Sequence, residues 1–152
     1  MNIRCEPDAL DDMTKYTGGL PMLAHEIGDA VFSADDDSNI DYDDAFSGVL
    51  DAADVVGRRY LDPLVYKAIR SDRYRTILRQ VSMGLFTARF TRAEVRSSLP
   101  EDERKVLDNF LQRMKKLGVI VEDPDGERGS YCFSNLLHHL YFFMEGQRIN
   151  AE

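Results

Sequence analysis

The stretch that decides the fold runs from Ala88 to Asn135: ARFTRAEVRSSLPEDERKVLDNFLQRMKKLGVIVEDPDGERGSYCFSN. Ala88–Phe90 reads as a brief extended piece, and Thr91 is a good N-cap for the short helix after it. Pro100 with Glu101, Asp102 and Glu103 opens a longer helix: proline there forfeits no hydrogen bond, and the carboxylates meet the positive dipole end. Lys115 and Lys116 in its last turn, and Gly118 just beyond, suit the opposite end. Leu107, Phe110, Leu111, Met114 and Leu117 recur at helical spacing as its buried stripe. Val119–Glu122 and Ser130–Phe133 flank a Pro124-Asp125-Gly126 turn and predict a β-hairpin.

Working outward, Ser71 or Asp72 starts a preceding helix that presents Tyr74, Ile77, Leu78, Val81 and Leu85. A closing helix runs from about Asn135 to Gln147. This element order predicts a winged helix-turn-helix over residues 71–152, with a small two- or three-stranded wing. Residues 1–70 read as short helices without a strand signal. Pro7 to Lys15 is a short helix with acids near its start. After Gly18-Gly19, the turn "GGLP" opens a helix with Leu20, Leu23, Ile27, Ala30 and Val31 on one face. Residues 33–40 are an acidic loop, and Asp41 caps a helix burying Tyr42, Phe46, Val49, Ala53 and Val56. Asp62-Pro63 is expected to start a further helix. The fold class is mainly α, with a helical subdomain over residues 1–70 followed by the winged helix.

The composition is globular, with hydrophobic residues at 43% and charged residues at 30%. No apolar run reaches the roughly 18 residues that a spanning helix needs, so no membrane partner is expected. Cys5 and Cys132 stand far apart in no metal-ligand spacing, which fits a reduced, cytoplasmic protein. Residues 1–66 carry fifteen acids and four bases, and the remainder twelve acids and fifteen bases, giving the chain its net charge of −8. The acidic half repels nucleic acid and the basic half attracts it only mildly.

The winged helix raises DNA binding first. Its recognition helix turns Lys105, Gln112 and Lys116 outward, where they can reach bases or phosphates, and Arg128 sits at the wing tip. Glu101, Asp102 and Glu103 crowd the front of that helix, and Asp123, Asp125 and Glu127 oppose Arg128. Packing or partner contact is therefore the expected use, with a DNA-binding regulator as the alternative. The run "DDDSNIDYDD" resembles a calcium loop in composition, but Ile40 and Phe46 stand where glycine and glutamate are needed. It reads as a solvated acidic loop. On the closing helix Leu136, Leu140, Phe143 and Met144 form the expected core stripe, which turns His138 and His139 outward as a poor metal pair. Tyr141 and Phe142 fall off that stripe, so a second surface should cover them: the N-terminal half, a twin subunit or a protein partner. They are the expected partner interface. No nucleophile elbow occurs, neither cysteine lies in a catalytic context, and Glu26 with Asp29 reads as ordinary solvation. No catalytic residue and no metal site is expected.

The turn at Thr17 to Phe32, "TGGLPMLAHEIGDAVF", then a helical segment, then a winged helix ending "GSYCFSNLLHHLYFFME", resembles the C-terminal part of archaeal-type AAA+ ATPases of the signal-transducing (STAND) branch. The resemblance implies a lid that begins with a Gly-Leu-Pro-Leu-type turn, matched here by Gly19, Leu20, Pro21 and Met22. It implies that Pro21 packs near the adenine of ATP or ADP held by a separate upstream nucleotide-binding domain. Phosphate grip and hydrolysis would belong to that domain, since this chain has no Gly-x-x-x-x-Gly-Lys-Ser/Thr loop; no cofactor is expected in this chain by itself. Many such relatives place a nucleotide-sensing His-Asp pair after the last wing strand. Ser134 and Asn135 stand there instead, suited to capping a helix, so that sensing role is not carried over. The leading expectation is a non-catalytic regulatory module of an ATP-dependent switch. A DNA-binding regulator and a protein-interaction adaptor are the alternatives.

Overall fold

The computed structural model describes residues 2–84 and 88–151; Leu85 of the expected helical stripe lies outside them. The described residues are mainly helical, with two small sheets. Helices α1 (Pro7–Thr17) and α2 (Pro21–Ala34) both carry proline in the first turn and lie either side of the Gly18-Gly19 break. Helix α2 buries Leu23, Ile27 and Val31, a one-sided stripe with a four-residue repeat. Leu20 is not part of it: it is the N-cap residue, extended and exposed. Helix α3 (Tyr42–Val56) begins in a capping box, in which Asp44 N–H donates to Asp41 Oδ1 at 3.0 Å and Asp41 N–H donates to Asp44 Oδ2 at 3.2 Å. Tyr42, expected in the core, is exposed at the first helical position and stacks on Phe46. Strands β1 (Arg4–Cys5) and β2 (Asn39–Ile40) pair in parallel across the start of this unit.

Asp62-Pro63 does not start a new helix. The chain leaves α3 without a break and continues as a widened, π-helical segment over Gly57–Tyr66 with Pro63 inside it. Proline removes a donor and its ring presses on the carbonyl four residues back, and widening the turn relieves that clash. Lys67 N–H accordingly donates to Asp62 O, five residues back, at 3.2 Å. Asp62 is thus free of capping duty, and its carboxylate accepts the Tyr141 hydroxyl at 2.5 Å.

Helix α4 (Asp72–Val81), strand β3 (Arg89–Thr91), helices α5 (Arg92–Ser98) and α6 (Glu101–Lys116), strands β4 (Ile120–Glu122) and β5 (Ser130–Phe133), and helix α7 (Leu136–Ala151) follow. Thr91 and Glu94 form a second capping box. The three strands are antiparallel in the order β3-β5-β4, with Phe90 opposite Tyr131 and Ile120 opposite Phe133. Phe110 is wholly buried and meets Tyr74 edge-on at 5.6 Å.

Two apolar cores result, and both cross residue 70. Leu61, Val65 and Ile69 join the core built on α4–α6 and the sheet, whereas Leu137 and Leu140 of α7 join the core of α1–α3. Helix α7 is therefore wedged between two apolar surfaces. Its burial does not follow the expected stripe of Leu136, Leu140, Phe143 and Met144. Leu137, His139, Leu140, Tyr141 and Phe142 are buried, while Leu136, Phe143 and Met144 are only half-buried. His139, expected on the outside, is 2% exposed and packs on the Phe133 ring at 4.9 Å. A helix covered on both sides has no single stripe.

Candidate functional site

The Gly19–Pro21 turn stands open. Gly18 and Gly19 have φ of +56° and +76°, a left-handed pair that bends the chain sharply between α1 and α2. Thr17 closes the bend from both sides: its Oγ1 accepts Gly19 N–H at 3.1 Å, and its carbonyl accepts Leu20 N–H at 3.0 Å. No side chain caps α2, so the N–H groups of its first turn are left with a positive dipole end. Pro21 is exposed, and Leu20 and Met22 beside it are 48% and 44% exposed. Three adjoining apolar side chains thus form a ledge beside unpaired donors, a surface that can take an apolar ring and an acceptor together.

The back of the same turn rests on the start of α7. A Cβ at Gly18 would lie 2.6 Å from Asn135 Nδ2, so only glycine fits there. Asn135 is buried, and its Oδ1 accepts the N–H of Leu137 at 2.8 Å and of His138 at 3.3 Å. Ser134 Oγ donates to Gly118 O at 2.6 Å, tying the same corner to the end of α6. The capping role read for Ser134-Asn135 holds for Asn135. The contact with Gly18 was not legible, because 116 intervening residues separate the two and no local pattern links them.

The outward face of α6 is largely self-neutralised. Lys105 sits between Asp102 at 3.3 Å and Glu101 at 3.8 Å. Arg92 makes a two-pronged pair with Asp108 at 2.6 and 2.8 Å, which holds the Asp108 carboxyl below its ordinary range. Lys115 reaches Glu122 at 2.8 Å, and Arg89 grips Asp123 at 2.9 and 3.1 Å. Gln112, Lys116 and Arg128 are exposed. Lys105, Gln112 and Lys116 therefore share an exposed helix, but Lys105 faces carboxylates.

Tyr141 and Phe142 are each 1% exposed and touch this chain's own interior, not a free surface. The covering surface is the π-helical segment: a Cβ at Gly57 would lie 2.1 Å from the Tyr141 ring. The acidic loop turns its carboxylates onto its own backbone, with Asp35 Oδ1 accepting Ser38 N–H at 2.9 Å and Asp37 Oδ1 accepting Asn39 N–H at 2.8 Å. Among the described residues no group of three or more His, Cys, Asp or Glu is placed to hold a metal ion. Nor is any described helix long and apolar enough to cross a membrane. Cys5 and Cys132 are free.

Comparison with protein-family models, with curated proteins and with solved structures returned no match to this chain.

Proposed function

We propose that this chain is a non-catalytic regulatory module of an ATP-dependent switch, a helical lid joined to a winged helix-turn-helix. In this reading α4–α6, the three-stranded sheet and α7 are the winged helix. The Leu20–Met22 ledge leans on the adenine of ATP or ADP held by an upstream nucleotide-binding domain, and the winged helix passes closure on to a protein partner. The observation that carries the reading is the two-sided Gly18–Pro21 turn: open in front at Pro21, and seated behind on Asn135 at the root of α7. A push on the ledge is thereby delivered to α7, which enters both cores. The free cysteines suit the reducing cytoplasm that such a switch would occupy. DNA binding ranks lower because ion pairs occupy much of the α6 face.

An antibody against this chain, used on extract from its source, tests the reading. It should detect a polypeptide well above 17.4 kDa that photolabels with 8-azido-ATP, with label recovered on the peptide containing Gly19–Met22. A native polypeptide of 17.4 kDa, or labelling that spares that peptide, overturns it.

A further inference from the structure

Farther along α7 from the Gly18–Asn135 contact, a cleft of about 970 Å³ opens between the π-helical segment, α4 and α7. Its walls follow from helical spacing. Asp72, Arg75, Thr76 and Arg79 share one face of α4, and Phe142, Glu145, Gly146 and Ile149 share one face of α7. Tyr66 and Lys67 close the end, where the widened helix stops. The half-buried Tyr66 ring forms an aromatic floor, with the enclosed Phe142 ring edge-on to it at 6.1 Å.

Lys67, Arg75 and Arg79 give this cleft its character. In a chain of net charge −8, these three cations converge on one cavity, and none has a carboxylate within 4.0 Å among the described residues. Three acids also line the cleft. Asp62 accepts from Tyr141, Glu145 pairs with Arg148, and Asp72 makes no ion pair. The fourth cation, Arg58, is bound to Asp54 at 2.9 Å. Arg79 is the clearest case, because its Nε is buried with no hydrogen-bond partner. Its stem passes over Gly146, where a Cβ would stand 3.3 Å from Arg79 Cγ. A buried guanidinium nitrogen without an acceptor is costly, as is a like-charged pair four residues apart on a helix. An acceptor anion in the cleft removes the second of these costs, the repulsion between Arg75 and Arg79. Burial, with Glu145 and Asp62 nearby, raises the Tyr66 phenol, so the ring stays neutral and can pack on an apolar body.

We propose that this cleft binds a small organic anion, its carboxylate or phosphate head held by Lys67, Arg75 and Arg79 and its flat apolar body lying on Tyr66 and Ile149. The volume falls within the range of small-molecule sites, about 300–1,000 Å³. Two cationic forks above an aromatic floor select a planar acid over a neutral ligand. The site is independent of the Gly19–Pro21 ledge and stands or falls apart from it.

The probe is 1-anilinonaphthalene-8-sulfonate, titrated into the whole chain by fluorescence and by amide NMR. Saturable one-to-one binding is expected, with shifts confined to residues 57–67, α4 and the second half of α7. Naphthalene-1-carboxylate and 1-naphthyl phosphate serve as competitors. Displacement by either supports the site, and the stronger one assigns the head group. Arg75→Gln, at an exposed position, and Arg79→Gln should each weaken binding about tenfold, the loss of one charge-assisted bond. Arg113→Gln on α6 should leave it unchanged. Arg75→Gln alone keeps the test decisive if Arg79→Gln fails to fold. Displacement by naphthalene-1-carboxamide as strong as by the acids, shifts spread over both cores, or affinity indifferent to Arg75→Gln would overturn the proposal.

Discussion

Gly57→Ala isolates the packing of α7 against the widened helix, because local and tertiary effects there have opposite signs. Gly57 has φ −59° and ψ −52°, an ordinary right-handed helical conformation. On backbone grounds alone, alanine should stabilise it by about 1 kcal/mol. The new Cβ, however, would fall 2.1, 2.2 and 2.3 Å from three atoms of the Tyr141 ring. Carbon atoms in contact sit at roughly 3.5–4.0 Å, so the ring would have to retreat by more than 1 Å. It has nowhere to go: it is buried, held at its hydroxyl by Asp62 at 2.5 Å and flanked by Phe142 at 5.9 Å. Overpacking costs about 1–3 kcal/mol, and breaking the buried hydroxyl bond adds about 1–3 kcal/mol. Net of the propensity gain, destabilisation on the order of 1–5 kcal/mol is expected. Urea unfolding followed by circular dichroism at helical wavelengths reads this as a lower midpoint at unchanged slope. In a Tyr141→Leu background the same substitution should become neutral or stabilising, since the obstructing ring is gone. A higher midpoint for Gly57→Ala in the otherwise unchanged chain would refute the reasoning.

His139 should make stability depend on acid. Desolvation lowers its pKa from 6.5 to about 4, against the opposing pull of the Ser82 and Gly84 carbonyls. Its contribution is therefore complete above the unfolded value and is lost as pH falls towards the folded one, because the unfolded chain takes up the proton first. Urea midpoints at pH 7 and 4.5 should differ by an amount worth about 2–3 kcal/mol more in the native sequence than in His139→Gln. Equal pH losses in the two proteins would count against a buried neutral imidazole. Phe110→Ala should cost on the order of 3–5 kcal/mol in a thermal melt, since its ring is wholly buried and shares an edge contact with Tyr74. A near-neutral effect would mean that the α6 register is misread.

The elements themselves were legible wherever a few neighbouring residues carry the physics. Asp41 with Asp44 and Thr91 with Glu94 satisfy their own helix starts, and neither box needs anything distant. Asp123–Gly126 turns the hairpin, and the apolar repeat of α6 placed Leu107, Phe110, Leu111 and Met114 inside. The open Pro21 turn was likewise readable, since glycine and proline set its backbone before any packing occurs.

Two features depended on the assembled chain. Asp62-Pro63 carries every local mark of a helix start, yet it continues a helix. A widened turn accommodates the proline ring, and Tyr141, 79 residues away, takes the Asp62 carboxylate. Periodicity reports burial against one surface, and α7 meets two, so His139 went inward against its pattern, while the second surface expected over Tyr141 and Phe142 belongs to this chain. The convergence of Lys67, Arg75 and Arg79 has the same origin. Sequence determined the caps, the turns and the single-faced helices through interactions a few residues long. Tertiary structure alone decided which faces were covered twice and which charges were left facing a shared cavity, because both depend on surfaces that meet only when the chain is closed.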